Sequence, residues 1–262
     1  MSFTLAQDLS FALTLADAAD QVTTSRFRVS DLDVQTKDDD SEVTDADLAT
    51  EQRLRELVAS GRPDDTVYGE EYGGRRQPGR QWIIDPIDGT GNYFRGVPVW
   101  ATLIALVVDG EPVVGVVSAP LLARRWWAAQ GCGAFGVFAG GEPQRLHVSV
   151  VDRLSDGFVS IGSLDQWDLV DQRAEAIALL DAAHRQRMFG DFLPYMLVAD
   201  GSTDVTAEPD LKPYDMAALV PIVTEAGGRF SSTAGKPGIW EGTALATNGR
   251  VHDEALQVLN PR

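Results

Sequence analysis

QWIIDPIDGTGN, residues 81–92, joins a short apolar run to two aspartates three positions apart and then to a Gly-Thr-Gly turn. QWII reads as a buried strand, and a strand end holds its backbone still because the ladder fixes it. Asp85-Pro86-Ile87-Asp88 then lets two carboxylates and the Ile87 carbonyl face one point. Pro86 stiffens the turn and removes one N–H donor. An all-oxygen set of this kind suits Mg2+, which prefers octahedral coordination and keeps several waters. One bridging carboxylate can hold two ions about 4 Å apart, the arrangement used in phosphoryl transfer. Gly89-Thr90-Gly91 lets an anion approach bare backbone. A helix starting there aims free N–H groups and its positive end at the same point. The Thr90 hydroxyl can orient a water, with Glu70 as acceptor.

Before this stretch the chain is free of strong breakers up to Gly61 and Pro63. Leu5, Leu9, Ala12, Leu13, Ala16 and Ala19 recur every three or four residues, which predicts a long amphipathic helix. A polar loop around 37–42 follows. Thr44 or Ser41 caps a second helix that turns Leu54, Leu57 and Val58 inward. After Gly61 the texture is β-branched and tryptophan-rich. Strands are expected at 66–69, 81–85, 100–110, 111–119 and 124–130, with a hairpin at Asp109-Gly110 and antiparallel pairing. Beyond residue 150 the pattern is α/β. Strands are expected at 158–162, 187–189, 203–206, 229–231 and 244–247, and helices at 168–183, 191–200 and 213–226. The last helix starts at Lys212-Pro213, with proline suited to a first turn. This divides the chain into an N-terminal α+β subdomain (1–150) carrying the metal and phosphate site and a C-terminal α/β subdomain (151–262) carrying substrate contacts.

Alone, two aspartates three apart are a common turn or cap. Here they accompany Gly69-Glu70-Glu71 after a strand and Asp215 in the first turn of an otherwise apolar helix. Thr44, Asp45 and Asp47 open the second helix. Capping and a role in the site are both open for Asp47. His147, His184 and His252 lack metal-ligand spacing and read as surface or structural groups. Cys132, the single cysteine, reads as structural, allows no intrachain disulfide and fits a reducing cytoplasm. The net charge of −17, from 22 basic and 39 acidic residues, opposes nucleic-acid binding. No apolar run approaches a membrane span, and MSFTLAQDLSFALTL lacks a basic n-region.

Gly69-Glu70-Glu71, WIIDPIDGT (82–90), YDMAA (214–218) and VTEAGG (223–228) resemble the inositol-monophosphatase-like family of Mg2+-dependent, lithium-sensitive phosphomonoesterases. The resemblance covers nearly the whole chain, including Lys37-x-Asp39 and VTDAD at 43–47; Tyr214 stands where the family usually has Trp. It implies a layered α/β/α/β/α sandwich and a homodimer. Glu70, Asp85 and the Ile87 carbonyl would hold a first Mg2+, and Asp85, Asp88 and Asp215 a second. A third, weaker ion would sit near Glu70. Thr90 and Glu70 would activate water, Asp47 would support Thr90, and Asp88, Gly89 and Thr90 would seat the phosphate. One branch, the bacterial histidinol-phosphate phosphatases, is similar over 95–106, 116–129 and 190–195. That branch implies a cationic amino-alcohol phosphate as substrate, with Asp191 pairing its ammonium and Glu208 accepting from its amine or imidazole. Asp191 as the N-cap of a helix starting at Phe192 stays open beside this, and inositol-1-phosphate or sugar phosphates are the alternative substrates. The acidic run at 38–40 suggests that 34–42 is a flap ordered by metal.

Overall fold

In the sheet that carries the aspartates, the strand Arg80–Asp88 is paired on both sides and runs past Asp85 to Asp88. The computed structural model describes residues 3–37 and 41–261. Asp85 pairs with Leu103 but Asp88 with Ala101, so three steps on one strand face two on the other. This is a β-bulge. In a regular strand, residues three apart point to opposite faces. The extra residue corrects that parity and turns both carboxylates to one side. Pro86 lacks the N–H that an unbroken ladder would need, and its carbonyl accepts instead from Thr102 Oγ1 at 2.8 Å.

Seven strands lie in the order Thr66–Gly69, Arg80–Asp88, Ala101–Val108, Glu111–Ala119, Arg124–Ala129, Gly133–Phe138 and Gln144–Arg145. The first pair is parallel and the rest antiparallel. Alternation sorts their side chains. Trp82, Ile84, Ile104, Leu106, Val114 and Val116 pack against the N-terminal helices Leu5–Arg26 and Asp45–Gly61. Ile83, Leu103, Ala105, Val117 and Trp126 face the helices Leu193–Ala199 and Leu219–Glu225. Behind those helices lies a mixed five-stranded sheet ordered Arg185–Gln186, Phe158–Ile161, Val205–Glu208, Ala244–Thr247, Arg229–Ser231. Its far side packs Val159, Ile161, Val205 and Leu245 against Trp167, Leu179, Ala255 and Leu259. These belong to the outer helices Leu164–Leu169, Arg173–Ala182 and His252–Leu259. Helix, sheet, helix, sheet, helix is the expected layered sandwich.

Local departures from the sequence reading have physical causes. The helix expected at 168–183 is two helices, parted where Asp171 takes φ 56°. The helix expected at 213–226 is Pro213–Met216 followed by Leu219–Glu225. Pro221 has no N–H to offer the turn before it. The loop expected at 37–42 is flanked by an antiparallel ladder, Val34–Thr36 with Glu42–Thr44, which places both arms in register. The acidic run 38–40 lies outside the described residues. The strand expected at 203–206 is Val205–Glu208, so Glu208 ends it. Thr44, rather than Ser41, caps the second helix.

Candidate metal and phosphate site

Asp85, Asp88 and Asp215 each offer one carboxylate oxygen, and the three oxygens lie within 4.8 Å of one another. The bulged strand supplies two of them and the turn of helix Pro213–Met216 the third. Backbone donors hold two of the carboxylates by one oxygen each. Asp88 Oδ2 accepts from the Phe192 N–H at 2.6 Å, and Asp215 Oδ2 from the Lys212 N–H at 2.6 Å. Asp85 is 2 % exposed, yet among the described residues its Oδ1 has no hydrogen-bond partner.

A buried, unpartnered anion is costly unless a cation completes it. Burial, followed by Glu70, Asp88 and Asp215, drives Asp85 well above the ordinary carboxylate range. Burial does the same to Asp88, with Asp191 and Asp215 adding to it. Burial also raises Asp215 to about 7, opposed by the Lys212 N–H. Oxygen donors only, mutual repulsion and an orphaned oxygen suit a hard divalent cation.

Glu70 stands outside this close group. Its Oε1 pairs with Lys37 Nζ at 2.9 Å, and the same ammonium meets Glu71 Oε1 at 2.9 Å. The turn that carries both glutamates is held from beneath by Glu51, which the sequence reading missed. Glu51 is fully buried, and its carboxylate accepts from the N–H groups of Glu71 (2.6 Å) and Tyr72 (3.2 Å) and from Arg55 Nε (2.7 Å). A Cβ on Gly69 would lie 2.1 Å from Glu51 Oε1, so the turn can approach only as glycine. The legible signal was the spacing of Asp47, Glu51 and Arg55, four apart on one helix face.

Thr90 Oγ1 lies 2.9 Å from the Ile87 carbonyl and 3.3 Å from Asp47 Oδ1. Asp47 also caps its helix, because its Oδ2 accepts from the Thr44 N–H at 2.9 Å. The capping reading of Asp47 therefore holds, and its second oxygen lies beside Thr90. Burial raises Asp47 to about 6, against the hydrogen bonds from Thr44. Gly89, at φ 88°, precedes the short helix Thr90–Phe94 and leaves the room that a side chain would take from Asp191.

Asp191 is not the N-cap. The helix starts at Leu193, Phe192 already has helical backbone, and no side chain caps it. Asp88 reaches the Phe192 N–H instead, while Asp191 Oδ2 accepts from Asn92 Nδ2 at 3.2 Å. Glu208 ends its strand 4 % exposed, and a Cβ on Gly162 would come 2.5 Å from its Oε1. Burial raises Asp191 to about 6 and Glu208 to about 8. Asp88, Gly89, Asp191, Glu208 and Asp215 line one cavity of about 540 Å3.

The remaining candidates stay apart from this cavity. Cys132 is exposed, in the turn between the strands Arg124–Ala129 and Gly133–Phe138. His252 is buried between Ser231 Oγ and Thr247 Oγ1, each at 2.9 Å, and burial lowers it to about 4. His147 and His184 are exposed. Among the described residues no helix is long and apolar enough to cross a membrane.

The profile of the inositol monophosphatase family matches residues 4–260. The histidinol-phosphatase of Mycobacterium tuberculosis is 53% identical over 97% of this chain and 98% of its own. The histidinol-phosphatase of Streptomyces coelicolor is 51% identical over 97% of each. A solved IMPase from Thermotoga maritima superposes with a TM-score of 0.85 at 30% identity, covering 97% of both chains. A match across both sheets, from the first helix to the last, places this chain in the inositol monophosphatase family.

Proposed function

We propose that this chain is a metal-dependent phosphomonoesterase that hydrolyses L-histidinol phosphate to L-histidinol and phosphate, a step of histidine biosynthesis. The observation that carries the substrate is the company of the metal-binding carboxylates. Asp191 and Glu208 line their cavity; Glu208 is buried, and Asp191 Oδ2 accepts from Asn92 Nδ2. An acidic wall there favours a leaving alcohol that bears positive charge over a neutral polyol. The two full-length relatives named histidinol-phosphatase support the same substrate.

The residues fit the following roles. Asp85, Asp88 and Asp215, with Glu70 and the Ile87 carbonyl, hold two to three Mg2+ ions. Bound there, the metal supplies Lewis-acid charge to the phosphoryl oxygens and lowers the pKa of water. Thr90 points its hydroxyl proton at Ile87 O or Asp47 Oδ1, which leaves its lone pairs free to accept from a water. Glu70 takes that water's proton as the oxygen attacks phosphorus in line. The N–H groups of Gly89 and Thr90 face the phosphate, with Asp88 beside them. The bond from phosphorus to the alcohol oxygen breaks, and that oxygen takes a proton from solvent water to leave as the free alcohol, while Glu70 returns its proton to solvent. Asp191 and Glu208 hold the amino alcohol by its ammonium and imidazole. In this reading the enzyme acts in the cytoplasm as a homodimer.

Phosphate release from histidinol phosphate, inositol-1-phosphate and a sugar phosphate, each at saturating Mg2+, tests the assignment. Histidinol phosphate should be preferred in kcat/KM by about 100-fold or more, the scale of one lost charge pair in a buried site. Comparable values for all three would favour a broad-specificity inositol or sugar phosphatase instead.

A further inference from the structure

The helix Asp45–Gly61 carries Asp47, Glu51 and Arg55 at four-residue intervals. On a helix such residues form one stripe, each about one turn from the next. Every member of this stripe reaches a different part of the site. Asp47 Oδ1 meets the Thr90 hydroxyl at 3.3 Å. Glu51 takes the backbone N–H groups of Glu71 and Tyr72. Arg55 closes the clasp: its Nε holds Glu51 at 2.7 Å and its Nη2 the Gly73 carbonyl at 2.6 Å. The turn Gly69–Gly73 is thus fastened at three backbone positions by two side chains of one helix. Its other end is fixed by the Glu70 N–H, which donates to the Ile84 carbonyl at 3.1 Å. The backbone of Glu70 is thus held at its own N–H and at the two residues that follow it.

We propose that Glu51 is a positioning residue for Glu70, and that the second helix sets the distance between Glu70 and Thr90. The two groups assigned to the attacking water stand on different loops. One loop follows the strand Thr66–Gly69 and the other follows Arg80–Asp88. Neither loop alone fixes their separation. Asp47 and Glu51, one turn apart on a rigid helix, touch both. Glu51 meets neither substrate nor metal; it acts through the backbone that aims Glu70. This rests on the reading of Glu70 as a metal ligand and proton acceptor.

The test uses the full-length protein stripped of metal and compares wild type with E51Q, E51A, R55M and E70Q. Mg2+ affinity is measured by calorimetry, thermal stability in chelator, and kcat and KM for the phosphomonoester. E51A should weaken Mg2+ binding by about tenfold or more, the usual cost of losing a group that orients a ligand. Its kcat should fall with it while KM stays within about twofold, since no substrate contact is removed. E51Q keeps one carbonyl acceptor but turns an amide NH2 on the remaining donors, so it should lie between E51A and wild type, about fivefold weak in Mg2+ affinity with kcat falling in step. R55M leaves Glu51 on the backbone and should shift Mg2+ affinity by only about threefold. If E51A does not fold, E51Q and R55M decide by that same order of Mg2+ affinities. A lower Tm for E51A or E51Q with wild-type Mg2+ affinity and kcat overturns the proposal. So does R55M weaker than E51Q in Mg2+ affinity. If E70Q binds Mg2+ as wild type does, the reading of Glu70 fails and takes the proposal with it. Calorimetry needs no substrate, so failure of the histidinol phosphate assignment leaves this result standing.

Discussion

Asp88 has neighbours of opposite kind: the Phe192 N–H, which donates to its Oδ2, and the carboxylates of Asp85 and Asp215. D88N keeps the shape and an acceptor for Phe192 while removing one charge from the cluster. Turnover at saturating Mg2+ should fall by about 1,000-fold or more. The metal-free Tm should hold or rise, because like-charge repulsion at the site is relieved. Near-normal turnover would remove Asp88 from the site. D191N should raise KM for histidinol phosphate by about tenfold and leave KM for an uncharged phosphomonoester nearly unchanged. Equal rises would show that Asp191 shapes the cavity rather than pairing an ammonium. At this scale the sequence was most readable where chemistry demands a charge. Asp85, Asp88 and Asp215 were named from it, and the fold brings one oxygen of each together. Glu51 was not named, because its four-residue spacing from Asp47 and Arg55 marks a shared helix face without telling whether that face meets water or a neighbouring turn.

Among the elements, the N-terminal helix and the 100–119 hairpin were legible because their apolar spacing matches a single period over many residues. The strands Gly133–Phe138 and Gln144–Arg145 were not. Glycine-rich and short, they owe their structure to the neighbouring strand rather than to their own pattern. Breaks within helices were equally hidden, since Asp171 looks like an ordinary surface residue until its φ is known. The Gly69 turn gives the element-scale prediction. G69A places a Cβ 2.1 Å from the buried Glu51 Oε1, so turn and helix must part. Overpacking of this kind costs about 1–3 kcal/mol. Denaturant unfolding of G69A in chelator should show that loss, and an unchanged midpoint would mean that the turn yields without strain.

The whole molecule balances a layered apolar core against a concentration of buried negative charge at the seam of its two sheets. Asp47 and Asp191 stand near 6, Asp215 near 7 and Glu208 near 8, all raised first by burial. Their ordinary values lie near 4. Between those limits the folded chain binds protons that the unfolded chain has released. Stability from these groups is fully present below about pH 4 and is lost as pH rises through 6 to 8. The metal-free Tm should therefore rise as pH is lowered from 8 to 6. Mg2+ needs the carboxylates deprotonated, so its stabilisation should be larger at pH 8 than at pH 6. Scanning calorimetry at both pH values, with chelator and with Mg2+, measures both slopes. A flat metal-free profile would mean that these carboxylates are hydrated rather than buried.

The bulge at Asp85–Asp88 bears on how this site responds to mutation. Ile87 packs its side chain with Ala46, Tyr93 and Trp100, and its carbonyl faces Thr90 because the extra residue releases it from the ladder. A substitution scan of 81–92 would score position 87 by side-chain volume alone, since every amino acid keeps that carbonyl. Only a change in chain length reaches it. Deleting Pro86 leaves two aspartates on one face of a regular strand and returns the main-chain oxygen to the sheet. Such a variant would keep every acidic residue of the site and lose an oxygen that no codon specifies.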